Sequence, residues 1–388
     1  MKWRNKGHEF DEAWWGIKDL DFYIWGAGNA GKRILKYFDY TRIAAFIDSN
    51  KDRAGEYLGI SILYAGDIWE KLNSRTSCIL ISLVGETGKI IEEECKAHGW
   101  TPGKNVFIID NDFLIYEMPK LYAYVMDKVF FYAVSMNTTE LCSLRCKDCV
   151  MSIPYVGRPK NERLEDMISD IDLLFNSVDM IAYLQLLGGE PLLNPELGEV
   201  IKYLHRNYKD QYGEIVIYTN GTVPLSDGLS ELLKAASVRV YISDYSCVSE
   251  EVKKMQIKFA EQLKEKEIAY EIVEMKTWFD YGFRKNQICD KSEDEMIKFF
   301  DRCNPGCWTV HHGKLYYCYI GQMAQKTLGI EEDGTNYIDL RKEPRMRSYE
   351  LMEWYEGYSE QGYASVCRLC NGQFDKSPTI PVAEQLDK

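Results

Sequence analysis

Cysteines stand at 142, 146 and 149 in the run Cys142-Ser143-Leu144-Arg145-Cys146-Lys147-Asp148-Cys149, and this spacing constrains the chain more than any other feature. Three thiolates on one short loop can hold three irons of a cubane cluster and leave the fourth iron open to a chelating amine and carboxylate. Structural zinc sites usually take four ligands built from CxxC pairs. The three-residue first gap, with no fourth ligand nearby, disfavours zinc.

The loop has a regular setting. An apolar strand predicted at Phe130 to Met136 leads directly into it. Helices are then expected near Arg163 to Asn176, Glu196 to Tyr208, Leu229 to Ala236 and Glu250 to Lys264, alternating with strands at Ile181 to Leu187, Glu214 to Tyr218, Val238 to Ile242 and Ile268 to Val273. Repeated βα units of this length predict a parallel sheet, read as a partial (β/α)6 TIM barrel over 125–290. In such barrels the chemistry sits at the C-terminal ends of the strands, where the cysteine loop falls.

Leu187-Gly188-Gly189-Glu190-Pro191 follows the next predicted strand. With the cysteine spacing, this GGEP segment resembles the radical S-adenosylmethionine (radical SAM) superfamily. The resemblance implies that Gly188, Gly189, Glu190 and Pro191 meet the amino group of the methionine moiety. It also implies a [4Fe-4S] cluster on Cys142, Cys146 and Cys149, a one-electron reductant of flavodoxin or ferredoxin type, and cleavage of the cofactor to a 5'-deoxyadenosyl radical. Thr219-Asn220-Gly221-Thr222 is similar to the family's TNG segment, and Ile242-Ser243-Asp244 to the strand end that contacts the ribose, which gives Asn220, Ser243 and Asp244 cofactor roles. Taken alone, these segments are also ordinary turns. One position departs from the family pattern: Asp148 stands where an aromatic residue usually touches adenine.

A second cysteine set lies downstream: Cys303, Cys307, Cys318, Cys367 and Cys370, with Gly313 ahead of Cys318. Their order resembles the SPASM and twitch extensions of the superfamily. This implies a small C-terminal domain over 291–388 that holds one auxiliary [4Fe-4S] cluster, with four ligands drawn from five candidates and Cys303 favoured over Cys307 by spacing. Zinc is the alternative occupant of such thiolates. His311 and His312, on the expected hairpin, read as surface or outer-sphere groups. Trp278, Asp280 and Gly282 follow the last barrel strand and either line the mouth of the site or serve as a core aromatic and a turn.

The N-terminal segment carries a different signature. A strand at Asp21 to Trp25 runs into Gly26-Ala27-Gly28-Asn29-Ala30-Gly31, a helix bearing Ile34, Leu35 and Phe38 follows, and a strand from Ile43 ends at Asp48. That is the strand, glycine turn, helix, strand, acid pattern of a dinucleotide unit. Further strands are expected at Cys78 to Leu83 and Val106 to Ile109, giving a Rossmann-like doubly wound domain over 1–118. Gly26, Gly28 and Gly31 would admit a phosphate to the helix N-terminus and Asp48 would receive a ribose, or the turn serves packing alone. The segment resembles N-terminal domains of bacterial polysaccharide and nucleotide-sugar enzymes. A bound nucleotide is therefore one expectation.

The chain of 388 residues carries a formal charge of −13, which argues against a nucleic-acid partner. It shows no apolar run of membrane-spanning length and no signal peptide, so a cytoplasmic location is expected, and the motif-spaced cysteines then read as ligands rather than disulfides. Cys247, beyond the strand ending near Ser243, is placed to return a hydrogen atom to a substrate radical if it reaches the barrel mouth; packing is the alternative. The leading expectation is an oxidoreductase or epimerase acting on a small carbohydrate or nucleotide-sugar. Peptide modification is the rival within the class, and a non-catalytic iron-sulfur redox or sensor protein is the rival outside it.

Overall fold

The structure, a computed structural model, describes residues 1–38, 40–303, 307–342 and 344–386. It divides into two compact units, one of Asn5–Tyr132 with Met346–Glu356, the other of Met1–Arg4, Ala133–Arg345 and Gly357–Lys388.

The first unit is a six-stranded sheet. Its strands are β1 (Asp21–Trp25), β2 (Ile43–Asp48), β3 (Gly55–Tyr57), β4 (Ile60–Tyr64), β5 (Ser77–Ile81) and β6 (Val106–Ile108), in the order β3-β4-β2-β1-β5-β6. All neighbours are parallel except the β3–β4 hairpin, which the sequence pattern did not reveal. β1 and β5 are nearly all apolar because both faces are covered. The order reverses between β1 and β5, and the glycine turn lies at that switch point. Gly26 has φ +110°, and a side chain at Gly31 would sit 1.8 Å from the Gly26 carbonyl oxygen, so the helix Asn29–Ile34 packs onto the strand end only through a bare glycine. The helix Ser348–Tyr355 also belongs here, with Tyr349 edge-on to Tyr124 at 4.8 Å. The expected boundary near 118 therefore moves to 132, and a piece of the expected C-terminal domain joins the first unit.

The second unit takes up β7 (Phe130–Asn137) from Ala133 on, with β8 (Met180–Leu187), β9 (Tyr212–Thr219), β10 (Arg239–Ser243) and β11 (Tyr270–Val273) side by side, and the β8, β9, β10 and β11 neighbours are parallel. These are the expected βα strands. Helix Leu197–Tyr208 shows why they form: Leu197, Val200, Ile201 and Leu204 recur at helical spacing and bury one face. Ser226 and Ser249 cap the next two helices by accepting backbone N–H groups.

The other edge differs from a plain βα series. The strand parallel to β7 there is β13 (Thr309–His311), which continues antiparallel into β14 (Lys314–Tyr316) and β15 (Tyr337–Asp339). The cysteine-rich region thus extends the barrel sheet instead of standing as a separate domain. A short pair, β12 (Trp278–Phe279) with β16 (Thr379–Ile380), ties the chain after Cys370 to the end of the barrel series.

Replacing Gly31 by Ala should lower the stability of the first unit by about 2 kcal/mol or more, since the clash is with backbone. Denaturant unfolding followed by tryptophan fluorescence checks this; an unchanged transition would mean that the turn yields.

Candidate active site

The C-terminal ends of β7, β8, β9 and β10 bring the expected segments together. The Gly189 N–H donates to the Thr139 carbonyl at 2.8 Å and the Glu190 N–H to the Leu141 carbonyl at 2.7 Å. An added Cβ would lie 2.7 Å from Thr139 O at Gly188 and 2.2 Å from Leu141 O at Gly189. The two glycines are bare because the backbone of the cysteine loop docks on them, a reason within the fold in addition to ligand approach.

Glu190 is wholly buried and joins three strand ends. Its oxygens accept from the Leu192 N–H, the Thr219 hydroxyl and the Asn220 N–H. Asn220 in turn sends its Nδ2 to Cys142 Sγ at 3.6 Å and to the Ser143 hydroxyl at 3.0 Å. Gln256 donates to the carbonyls of both Asn220 and Ser243, which locks the β9 and β10 turns together. Asp244 accepts from the Ser246 N–H within its own turn.

Burial pushes all three loop thiols up to about 11, so at neutral pH a metal would displace protons to bind. Donors reach all three sulfurs: the Leu144 N–H and Asn220 Nδ2 at Cys142, Gln385 Nε2 at Cys146 at 3.2 Å, and backbone N–H groups of Met151, Ser152 and Ile153 at Cys149. The Tyr245 hydroxyl bonds the Ser243 side chain among these thiols, and burial first, then the thiols, push it upward.

Gln385 belongs to a segment that sequence reasoning missed. Residues 384–386 pair with the cysteine loop as a short antiparallel bridge: Lys147 N–H to Glu384 O, Leu386 N–H to Arg145 O, and Arg145 N–H to Gln385 Oε1. No local pattern marks such a contact across 239 positions.

Beside Cys149 opens a cleft of about 370 Å³, lined among others by Tyr155, Phe279, Tyr281, Phe283 and Arg284. Asp280 and Gly282 line it as expected, while Trp278 packs edge-on to Tyr245. Asp148 is paired with Arg284, whose guanidinium lies 5.2 Å over the Tyr155 ring. Cys247 is not among the residues lining this cleft; it is exposed, its thiol donates to the Val382 carbonyl at 3.8 Å, and it lies near enough to Cys146 to push that thiol upward.

The second cysteine set also converges. Cys303, Cys318, Cys367 and Cys370 line one cavity with Tyr281, Phe283, Phe299, Phe300 and Val366. Burial is the first cause that pushes up Cys303, Cys367 and Cys370. Backbone N–H groups of Gln373, Gly321 and Gly372 point at Cys303, Cys318 and Cys370. Cys307 stands next to this set, 3.8 Å from Cys318 Sγ, and is the member outside the cavity lining. An all-sulfur donor set in an aromatic and apolar shell, with N–H groups on the sulfurs, fits an iron-sulfur cluster.

In the first unit, Asp48 accepts from the Ala27 and Asn50 N–H groups and from Arg53. These hydrogen bonds outweigh burial and hold its carboxyl below the usual range. Asp48 braces the glycine turn through these contacts.

Residues 136–258 match the Radical SAM superfamily model. GTP 3',8-cyclase 1 of Mycobacterium tuberculosis (strain CDC 1551 / Oshkosh) is 31% identical over 111 residues, 28% of this chain and 30% of that protein. The chain therefore spans about a third of the length of that relative. GTP 3',8-cyclase of Aliarcobacter butzleri (strain RM4018) is 25% identical over 256 residues, 61% of this chain and 74% of the relative. Among solved structures, BtrN in complex with AdoMet and 2-DOIA aligns with a TM-score of 0.42 at 14% identity, covering 64% of this chain and 95% of that one. No described helix is long and apolar enough to cross a membrane.

Burial carries the Glu190 carboxyl from 4.5 to about 7. Between those values the folded chain holds the proton more tightly than the unfolded chain, so stability should fall as pH rises through this window, by on the order of 3 kcal/mol. Melting temperatures across pH 4 to 8 should show this slope in the wild type and not in Glu190→Gln; parallel curves would remove Glu190 as its source.

Proposed function

We propose that this chain, whose residues 136–258 are a radical SAM domain, is an enzyme that removes a hydrogen atom from a small polyhydroxylated substrate such as a carbohydrate or nucleotide-sugar, with net oxidation as the outcome. The observation that carries the reading is the docking of Gly188 and Gly189 on the cysteine loop, which sets Cys142, Cys146 and Cys149 beside the β8 and β9 ends that Glu190 joins. Cys142, Cys146 and Cys149 would hold a [4Fe-4S] cluster, which when bound would supply the electron for cleaving S-adenosylmethionine to the hydrogen-abstracting 5'-deoxyadenosyl radical.

The residues of the chain supply the rest. Asn220 and Gln385 donate to Cys142 and Cys146, which eases negative charge on the sulfurs. Asp148 cannot offer a ring face to adenine, and Tyr155 with the Arg284 plane stands over the same part of the cleft. The mixture of aromatic rings and charged groups beside Cys149 suits a ligand with hydroxyls more than an apolar one.

Oxidation is favoured over epimerisation by two placements. Tyr281 and Phe283 line both the cleft and the cavity of Cys303, Cys318, Cys367 and Cys370, so an auxiliary cluster there would be one side chain from substrate. Cys247, which the sequence left between hydrogen donor and packing residue, is not among the residues lining the cleft. A second reading, cyclisation of a nucleotide, rests on the similarity to GTP 3',8-cyclases.

The test is anaerobic incubation of cluster-reconstituted protein with dithionite and S-adenosylmethionine, counting 5'-deoxyadenosine. Cys146→Ala should abolish it; persistence would sink the radical reading. With candidate sugars, Cys370→Ala should keep 5'-deoxyadenosine formation and lose oxidised product, while Cys247→Ala should change neither. A cyclic product from GTP would favour the second reading.

Gln385→Leu removes one donor to Cys146 and should lower the midpoint potential of that cluster in an EPR redox titration. The expected change is about tenfold in the reduced-to-oxidised ratio, roughly 59 mV for a one-electron couple. An unchanged midpoint would show that the contact has no electronic effect.

A further inference from the structure

Away from both cysteine sets, Glu162, His311 and His312 bring one ligand atom each to within 4.8 Å of one another. The glutamate side chain is 3% exposed, that of His311 8% and that of His312 47%. From the geometry we infer that these three residues form a mononuclear site for a divalent first-row transition ion of the zinc class.

The backbone is arranged for this convergence. Neighbouring residues in a strand point to opposite faces, so His311 and His312 would diverge if β13 simply continued. Instead His312 has φ +50° and Gly313 φ +72°, a two-residue turn with both centres left-handed, in which Asn-Gly is the usual choice. Asp170 accepts the N–H groups of both turn residues, at 2.8 and 2.6 Å. Histidine adopts this left-handed backbone more readily than most side chains, and the His312 ring is turned toward Glu162.

The spacing suits a shared ion as well as it suits the hydrogen bond between His311 and Glu162. His311 Nε2 and Glu162 Oε1 are hydrogen-bonded at 3.2 Å, while His312 Nε2 lies 3.5 Å from the other carboxylate oxygen, Oε2, too long for a good hydrogen bond. Ligand atoms each about 2.0–2.1 Å from one tetrahedral ion stand roughly 3.3–3.4 Å apart. Two imidazoles and one carboxylate suit zinc, ferrous iron or manganese, and the half-exposed face of His312 leaves room for solvent on the ion.

An ion held here would link two parts of the second unit. Glu162 sits at the neck of the loop that carries Cys142, Cys146 and Cys149, its N–H bonded to the Thr138 carbonyl. His311 and His312 cap the hairpin that begins just after Cys307 and ends just before Cys318. The ion would clip one to the other.

The experiment uses cluster-loaded protein, dialysed against a chelator and then equilibrated with zinc, with zinc and iron both counted per chain. One zinc per wild-type chain with iron unchanged is expected, and binding about a hundredfold weaker in Glu162→Gln and in His312→Asn. His312→Asn keeps a residue that favours this turn, so circular dichroism should match the wild type and the loss of zinc would report the ligand alone. No zinc retained by the wild type at micromolar concentration, or undiminished zinc in the double variant, would overturn the site.

Discussion

Two bare glycines pressed against the backbone of a cysteine loop are the contact on which the candidate site depends. Gly188 and Gly189 leave no room for a β-carbon under Thr139 and Leu141, and the adjoining N–H groups bond those carbonyls. Register between the β7 and β8 ends follows from that contact. Glu190 extends it to β9 by accepting from Thr219 and Asn220, and Gln256 extends it to β10. A chain of short hydrogen bonds through buried groups thus carries the position of Cys142 across four strands, which is how a loop of polar and charged residues acquires a defined shape.

The cysteine-rich region acts on the same loop from the other side. Because β13 adds to the β7 edge, the second cysteine set hangs from the barrel sheet itself, and Tyr281 with Phe283 forms a wall shared by the cleft and the second cavity. The chain then returns after Cys370 through β16 and lays residues 384–386 along the loop. Both cysteine sets therefore belong to one compact unit, and the spacing between them is governed by sheet pairing.

The strand series, its helices and the positions of the GGEP and TNG segments were legible because each rests on short-range periodicity and turn chemistry. Arg284 opposite Asp148, Tyr245 among the thiols and Gln385 on Cys146 were not, since each partner is remote in the chain and of an ordinary residue type. Asp48 shows that a motif residue also has a use within the fold: its carboxylate accepts from the Ala27 and Asn50 N–H groups and from Arg53. Cys247, read from the sequence as near the barrel mouth, is exposed and lies within electrostatic reach of Cys146.

By itself the sequence determined the chemistry of the donors: three thiolates at loop spacing, a glycine pair at a strand end and a second set of five cysteines, because ligand type and local spacing are properties of neighbouring residues. Only the tertiary structure decided which of those five line a common cavity, which side chains reach the sulfurs, and that Glu162 meets His311 and His312. Such meetings depend on sheet order and on how single backbone dihedrals turn a strand end, and neither is written in any local stretch of chain.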